Sequence, residues 1–197
     1  MENKEKIIKV EPQPQEIFFN AVKNNNIEKI KNIMEREVPV VDTECINKAL
    51  SIALENGNLE IVKYLIEKGA NDINHALRLA SEEGNLEIVK YLVEHGADVN
   101  IKNDWGLTVL MSASIYGKLG VVKCLVENGA DINAKDNNGK TALIYAVENR
   151  KLRIVAYFIE NGIDINAKYD YESYKGVTIL MIASIVAYPD IYKLRNN

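Results

Sequence analysis

A repeated segment is the feature of this chain that most restricts its fold. NGNLEIVKYLIEKGAN begins at Asn56, and the nearly identical EGNLEIVKYLVEHGAD begins at Glu83. Related segments begin at residues 23, 55, 82, 115 and 148, so consecutive copies lie 32, 27, 33 and 33 residues apart. A degenerate sixth copy starts at Val186. Such a period predicts stacked units, each of which buries its apolar face only against its neighbours.

Each copy has the pattern of an amphipathic helix. In the second copy Leu59, Val62 and Leu65 recur at helical spacing. A glycine follows each of four copies, and a glycine at a helix end is expected in the left-handed conformation. These residues are Gly69, Gly96, Gly129 and Gly162.

A shorter helix is predicted just before each copy, for example VLMSASIYG and ALIYAVENR. Residues that are good N-caps mark its start. They are Thr108, Thr141, Thr178 and, in the short third repeat, Asn74, with His75 opening the helix. Segments rich in Asn, Asp and Gly, such as NIKNDWGL, separate the repeats and read as turns.

The chain therefore resembles an ankyrin-repeat protein. The segments that show this best are GLTVLMSASIYGKLGVVKCLVENGADINAKD and GKTALIYAVENRKLRIVAYFIENGIDINAKY, which start at Gly106 and Gly139. They match the family pattern Gly-x-Thr-Pro-Leu-His, a small-residue inner helix, an outer helix and Gly-Ala-Asp-x-Asn. The resemblance covers about residues 16–190 and implies an all-α solenoid of about six helix-turn-helix units with short projecting β-turn fingers.

We expect the last unit to be truncated, residues 16–197 to form a single repeat domain, and residues 1–15 to form a flexible tail. The first pair, from Glu16 to about Glu37, would act as a cap. In the last pair, Pro189 would lie near the start of a short outer helix. Before it, YDYESYKGV is longer than its counterparts, so this finger is expected to project further.

The sequence departs from the family pattern at several places. Val109, Ala142 and Ile179 stand in the Pro position, and Met111, Ile144 and Met181 stand in the His position. Apolar packing is expected to replace the hydrogen bonds of that His. Asn25 and Arg150 replace the loop glycine seen as Gly57, Gly84 and Gly117, which predicts two non-glycine residues with positive φ. The 27-residue spacing predicts that most of one finger is missing just before the finger with Trp105.

Catalytic and metal-binding motifs are not found. The sequence has no nucleotide-binding loop, no Gly-x-Ser-x-Gly and no Cys-x-x-Cys. His75 and His95 are interpreted as structural residues, and Cys45 and Cys124 as buried free thiols. The pairs Asp98/Asn100, Asp131/Asn133 and Asp164/Asn166 recur with the repeat and are interpreted as turn residues. We therefore predict a protein that is not an enzyme and needs no cofactor or metal.

Composition gives weaker indications. The net charge of −4 and the lack of a basic stripe argue against nucleic-acid binding. No apolar stretch reaches the ~18 residues of a membrane span, and the N-terminus lacks a signal-peptide pattern. The prediction is a cytoplasmic monomer without nucleic-acid or membrane partners, although self-association and secretion as an effector stay open.

The resemblance implies that a protein partner binds at the finger tips and at the C-terminal ends of the inner helices, which together form a concave groove. The predicted binding residues are Glu82, Glu83, Asp104, Trp105, Leu107, Ile115, Tyr116, Asn138, Lys140, Glu148 and Asn149. Further positions of this kind are Glu55, Asn56, Asn137, Tyr174, Lys175, Val177, Ile185 and Val186. The fourth-repeat set is largely apolar and includes the only Trp, whereas the fifth-repeat set is polar.

Two interpretations of Trp105 stay open. It is either the centre of a partner site, as aromatic residues often are, or it folds back onto a neighbouring finger or the surface bared by the missing one. The acidic group of Glu55, Glu82 and Glu83 is either a solvated face or a feature that favours a basic partner segment. The function inferred is a protein-interaction scaffold. The alternatives are self-association, a host-directed bacterial or viral effector and, least favoured, a small hydrolase or transferase.

Overall fold

The computed structural model describes residues 13–35, 41–164, 168–171 and 174–185. Within these ranges the chain forms eleven helices and one two-stranded sheet. The chain divides into two compact units, residues 1–71 and 72–197. The single domain expected over residues 16–197 stays a prediction. Of the tail expected over residues 1–15, residues 1–12 lie outside the described residues, and the first helix already begins at Pro14. The second half of the last repeat from Val186, including Pro189, also lies outside the described residues.

The first unit contains two antiparallel helix pairs. Its helices are α1 (Pro14–Lys23), α2 (Ile27–Met34), α3 (Thr43–Glu55) and α4 (Leu59–Glu67). Each inner helix packs on its own outer helix, and α1 also packs on α3. Phe18, Leu50, Leu54, Ile61 and Leu65 are at most 2% exposed and form the core of this unit.

The second unit continues the same pattern. Its helices are α5 (Ile73–Glu83), α6 (Leu86–Glu94), α7 (Val109–Tyr116), α8 (Leu119–Glu127), α9 (Ala142–Glu148), α10 (Leu152–Glu160) and α11 (Ile179–Ile185). The inner helices α5, α7, α9 and α11 pack side by side in sequence order, as do the outer helices α6, α8 and α10. The long finger before α11 forms a hairpin of β1 (Tyr169–Tyr171) and β2 (Tyr174–Val177), paired antiparallel.

The inner helix α7 shows why the units must stack. Six of its eight residues are buried, from Val109 to Ser114, so apolar or small side chains surround its axis. A helix that is apolar all round is stable only when covered on several sides. Here α5, α9 and the outer helix α8 cover it.

The predicted helix ends are largely confirmed. The hydroxyl oxygens of Thr108 and Thr141 accept hydrogen bonds from the N–H groups of Met111 and Ile144, at 3.2 and 3.4 Å. All four helix-ending glycines have positive φ, between 83° and 106°. The two expected non-glycine residues do so as well, Asn25 at 53° and Arg150 at 55°.

The predicted start of α5 was wrong. The helix begins at Ile73, and its N-cap is Asp72, whose carboxylate accepts a 3.3 Å hydrogen bond from the His75 N–H. Asn74 lies inside the helix and is not the cap. Its side-chain oxygen instead accepts a 2.9 Å hydrogen bond from the Asp98 N–H at the end of the same repeat.

Apolar packing replaces the family histidine at two positions of the three. Met111 and Ile144 are fully buried, as expected. The Met111 sulfur also lies 3.4 Å from the Thr108 nitrogen and accepts its N–H. Met181 differs, since it is 54% exposed.

Arg150 allows a test of the left-handed loop. Replacing a non-glycine residue at positive φ with glycine removes a strain of about 1–2 kcal/mol, part of which is offset by the greater entropy of glycine in the unfolded chain. We expect Arg150→Gly to raise the free energy of unfolding in urea by about 0.5–1 kcal/mol. Arg153→Gly is the control, because Arg153 is an exposed residue within α10, where a glycine costs about 1 kcal/mol of stability. Destabilisation by Arg150→Gly would contradict the strain.

Candidate functional site

Two fingers in the second unit have the same backbone turn. Finger I is residues 101–108 and finger II is residues 134–141. In finger I, Asn103 N–H donates to Leu107 O at 3.0 Å and Gly106 N–H donates to Asn103 O at 2.9 Å. In finger II, Asp136 N–H donates to Lys140 O at 3.0 Å and Gly139 N–H donates to Asp136 O at 3.1 Å. Each finger is therefore a tight hairpin with two residues at its tip.

A side chain at the start of each turn fixes the tip. The Asn103 side-chain oxygen accepts from the N–H groups of Trp105 and Leu107, both at 3.0 Å. In finger II the buried Asp136 carboxylate accepts from two backbone N–H groups at 2.8 and 2.9 Å and from the Tyr145 hydroxyl at 2.6 Å. These Asx turns hold the backbone of both tips in one conformation.

The two fingers are joined by hydrogen bonds. Asn137 uses its backbone N–H to reach Trp105 O at 3.1 Å, and its side-chain amide to reach Asp104 O at 3.0 Å. The Lys102 ammonium group donates to Lys135 O at 3.0 Å. Finger II thus presents N–H donors and a carbonyl acceptor to finger I, the finger before it in the sequence.

The Trp105 side chain is exposed. Trp105 is 70% exposed and Tyr116 is 55% exposed, whereas Leu107 and Ile115 are half-buried. The structure thus does not place the indole folded back on a neighbouring finger. Whether the indole marks a partner site stays a prediction.

The fifth repeat has a polar version of the same positions. Lys140 at the base of finger II and Glu148 at the end of α9 form an ion pair at 3.3 Å, with 14% of the Lys140 side chain and 25% of the Glu148 side chain exposed. The equivalent positions in the fourth repeat are Leu107 and Ile115, 33 residues earlier. A finger base and the end of its inner helix are therefore adjacent within one repeat, as the prediction requires.

The other predicted binding residues lie in varied surroundings. Asn138 is exposed, and Asn149 is exposed with its side chain bonded to Tyr145 O at 2.9 Å. Glu82 pairs with Arg78 at 3.0 Å, and the backbone carbonyl of Glu83 accepts from the Lys118 ammonium group at 2.8 Å.

Some of the further positions are not free for a partner or are not described. In the first unit, Asn56 donates to Val22 O and to the Asn25 side chain, both at 3.2 Å, so it stabilises the neighbouring loop. Glu55 is exposed. Val177 is half-buried, whereas Val186 and the side chains of Tyr174, Lys175 and Ile185 lie outside the described residues.

A depression lies beside finger I, where the sequence predicted a surface bared by the missing finger but did not name the residues that form it. It has a volume of about 230 Å³ and lies between α5 and finger I. Its lining residues are Asp72, Asn74, His75, Arg78, Ile101, Lys102, Asn103, Leu107 and Val109. The 27-residue spacing is the signal that could have predicted it, because only Asn71 and Asp72 separate Ala70 from α5, where a finger would otherwise stand.

The residues considered for catalysis have structural surroundings. A nitrogen of Arg78 lies 2.9 Å from the His75 ring, and the His95 ring stacks on Tyr91 with the ring centres 3.9 Å apart. Asp98 and Asp131 accept hydrogen bonds from the N–H groups of Asn100 and Asn133 at 2.8 and 2.9 Å, which confirms the turn interpretation for these two pairs. Asn166 of the third pair lies outside the described residues. Among the described residues, no group of three or more His, Cys, Asp or Glu could hold a metal ion.

The fold and the fingers together define a class of protein, a stack of helix pairs with projecting hairpin turns. The family model described as ankyrin repeats (3 copies) matches residues 18–103, 77–169 and 110–194. The chain therefore belongs to the ankyrin-repeat family and has its all-α solenoid fold. Members of this family are generally protein-protein interaction modules and are typically not enzymes. No curated protein is matched by the sequence, and no helix in the described part of the chain has the length and apolar character to cross a membrane.

The two cysteines are buried free thiols, as predicted. Burial raises the pKa of both the Cys45 and the Cys124 thiol, so the reactive thiolate is scarce in the folded protein. We expect both to react slowly with a chromogenic disulfide reagent at about pH 8 and together upon unfolding in urea. Because the pKa is higher in the folded state, these thiols should lower stability as the pH rises past the ordinary thiol value. Fast reaction of the native protein would contradict this burial.

Gly106 allows a test of the contact between the fingers. A Cβ atom at Gly106 would lie 2.8 Å from the Asn137 backbone nitrogen, whereas a Cβ at Gly96 would meet nothing within 4 Å. Both residues have positive φ, at 76° and 89°, so alanine costs both about 1–2 kcal/mol. We expect Gly106→Ala to lower the free energy of unfolding in urea by at least about 1 kcal/mol more than Gly96→Ala does. Equal losses of unfolding free energy in the two variants would show that the contact between the fingers does not contribute to stability.

Proposed function

We propose that this protein is a non-enzymatic interaction scaffold that binds a partner protein through its fingers and the ends of its inner helices. The centre of the surface would be Trp105, Leu107 and Tyr116. The observation that supports this most is the 70% exposure of Trp105 at the tip of a finger whose backbone is already fixed. Scaffold proteins of this kind need no cofactor.

The energetics favour Trp105 as an anchor. A Trp side chain buries about 150–250 Å² at about 25 cal/mol per Å², so covering the exposed part supplies about 3–4 kcal/mol. A micromolar affinity needs about 8 kcal/mol in all. Because the Asn103 side chain already orders the tip, little further entropy is lost when a partner binds.

The remaining predicted residues would surround this centre. Asp104 and Ile115 belong to the fourth repeat, and the fifth repeat adds a polar rim. The rim residues are Asn138, Lys140, Glu148 and Asn149. Glu82 and Glu83 would favour a basic segment of the partner. The contribution of Glu82 to this attraction would be the smaller one, because Glu82 is paired with Arg78.

A cytoplasmic location and a monomeric state belong to the same proposal. Two buried free thiols fit a reducing compartment. The net charge of −4 disfavours nucleic acid as the partner.

Self-association is a second candidate function. Trp105, Tyr116 and Met181 are large apolar side chains that are each more than half exposed. Exposed apolar side chains of this size also mark contacts between copies of one chain. Light scattering over a range of protein concentrations distinguishes the two, because self-association raises the mean mass with concentration.

The double variant Trp105→Ala/Tyr116→Ala tests the proposed site. Both side chains are largely exposed, so the variant should keep the wild-type free energy of unfolding within about 0.5 kcal/mol. We expect partners captured from the lysate of the source organism to be retained by the wild type and lost by the variant, with affinity reduced at least about tenfold.

Met181→Ala is the matched control, since Met181 is 54% exposed but is not among the predicted binding residues. It should capture partners like the wild type. Equal recovery of partners by the folded double variant and the wild type would rule out this site.

A further inference from the structure

We propose that the depression beside finger I binds a reverse turn of the partner that carries a lysine or arginine, in the position of the omitted finger. This deepens the proposed function, because it names the partner segment that one part of the surface would take. The proposal rests on the hydrogen bonds by which finger I binds finger II within this chain.

Finger II shows which groups a finger presents to the finger before it. Three of its groups are used: the backbone N–H and the side chain of Asn137, and the carbonyl of Lys135. The equivalent groups of finger I, 33 residues earlier, are the N–H and side chain of Asp104 and the carbonyl of Lys102. Finger I therefore has the same binding face, on the side where the described residues from Ala70 to Ile73 lead directly into α5 without a finger.

These groups of finger I are not used within the described residues. Neither the Asp104 N–H nor the Lys102 carbonyl has a hydrogen-bond partner among the residues that the structure describes. Both Asp104 and Lys102 are exposed. A backbone donor and acceptor in a fixed finger form a template for a further turn, as the edge of a sheet does for a strand.

The charge of the occupant follows from two observations. The carbonyl of Lys135 accepts a lysine ammonium group at 3.0 Å, so a cationic side chain fits the equivalent carbonyl of Lys102. Asp104 replaces Asn137, whose amide donates to a carbonyl. A carboxylate cannot donate, so Asp104 disfavours a carbonyl there and favours an N–H group or a cation.

The two cations that line the depression are each engaged by another group. Asp72 adds a carboxylate at the start of α5. Arg78 is paired with Glu82 at 3.0 Å. The ammonium group of Lys102 is bonded to Lys135 O on the other side of finger I. A basic turn would therefore meet two carboxylates and a carbonyl.

The volume also suits a turn. The depression of about 230 Å³ holds one or two side chains and not a helix. Two of its lining residues, Ile101 and Leu107, are half-buried and form an apolar surface that a bound turn would cover.

The test uses the full chain and two cyclised peptides. One copies finger I as VNIKNDWGLT, residues 99–108, and so contains the lysine and the tip carbonyl that finger II recognises. The other carries Lys102→Glu and is otherwise the same. Each is added to ¹⁵N-labelled protein, and the amide resonances are followed up to about 1 mM peptide.

We expect the lysine peptide to shift the resonances of Ile101, Lys102 and Asp104 in a saturable way, and the glutamate peptide to bind about tenfold more weakly or not at all. Asp104→Lys should remove or reverse this preference. Glu127→Lys makes the same change of charge on the outer helix α8, away from finger I, and should keep it.

Three outcomes would overturn the proposal: equal binding of both peptides, shifts centred outside the depression, or no saturable shift at about 1 mM. The failure of the proposed function is separate from these outcomes. Loss of capture by Trp105→Ala/Tyr116→Ala is read with a natural partner, whereas the peptide titration reads residues that line the depression and needs no natural partner.

Discussion

The structure depends on the burial of inner helices that cannot bury themselves. In α7 the six residues from Val109 to Ser114 are all buried, including the two serines Ser112 and Ser114. Such a helix has no polar face to turn toward water, so it is stable only between α5 and α9. Small side chains such as Ala113 let the helices approach closely. The repeat of the sequence is therefore a repeat of one packing contact.

Polar side chains convert this packing into a fixed geometry at the loops. Asn100 accepts from the Asp131 N–H at 2.8 Å and donates to Gly129 O at 3.1 Å, which joins the end of one repeat to the end of the next. The Asn74 side-chain oxygen accepts a hydrogen bond from the Asp98 N–H in the same way. Because the loop ends are held in this way, the fingers start from defined positions. Their tips are then ordered by Asn103 and Asp136, and a partner would meet a surface formed before binding.

The sequence predicted those features that depend on one residue and its backbone. Gly129 at a helix end and Arg150 in place of a loop glycine both have the positive φ that their positions require. The N-cap at Thr108 was predicted for the same reason. At the start of α5 both Asp72 and Asn74 are good caps, and the choice depends on a distant group, the Asp98 N–H, which takes Asn74. The repeat pattern has no information about such a competition.

The side chains of the surface were harder to predict. Trp105 sits at the tip of a turn, where no periodicity tells a buried side chain from an exposed one. The exposure of Met181 was missed because its position was assigned by analogy with the buried Met111. The occupant proposed for the depression required two facts together, the 27-residue spacing and the way finger II binds finger I. Only the first is visible in the sequence.

An omitted finger inside a stack differs physically from an exposed loop. Each finger has two faces, and in this chain one face of finger I fits finger II through three hydrogen bonds between defined groups. The opposite face of finger I has the same backbone turn as the corresponding face of finger II, and therefore the same backbone donor and acceptor groups. It differs in its side chain, because Asp104 stands where finger II has Asn137. The replacement of an amide by a carboxylate leaves the shape of the face unchanged and alters its charge. This face of finger I would therefore select a turn that has the shape of a finger and carries more positive charge than finger I does.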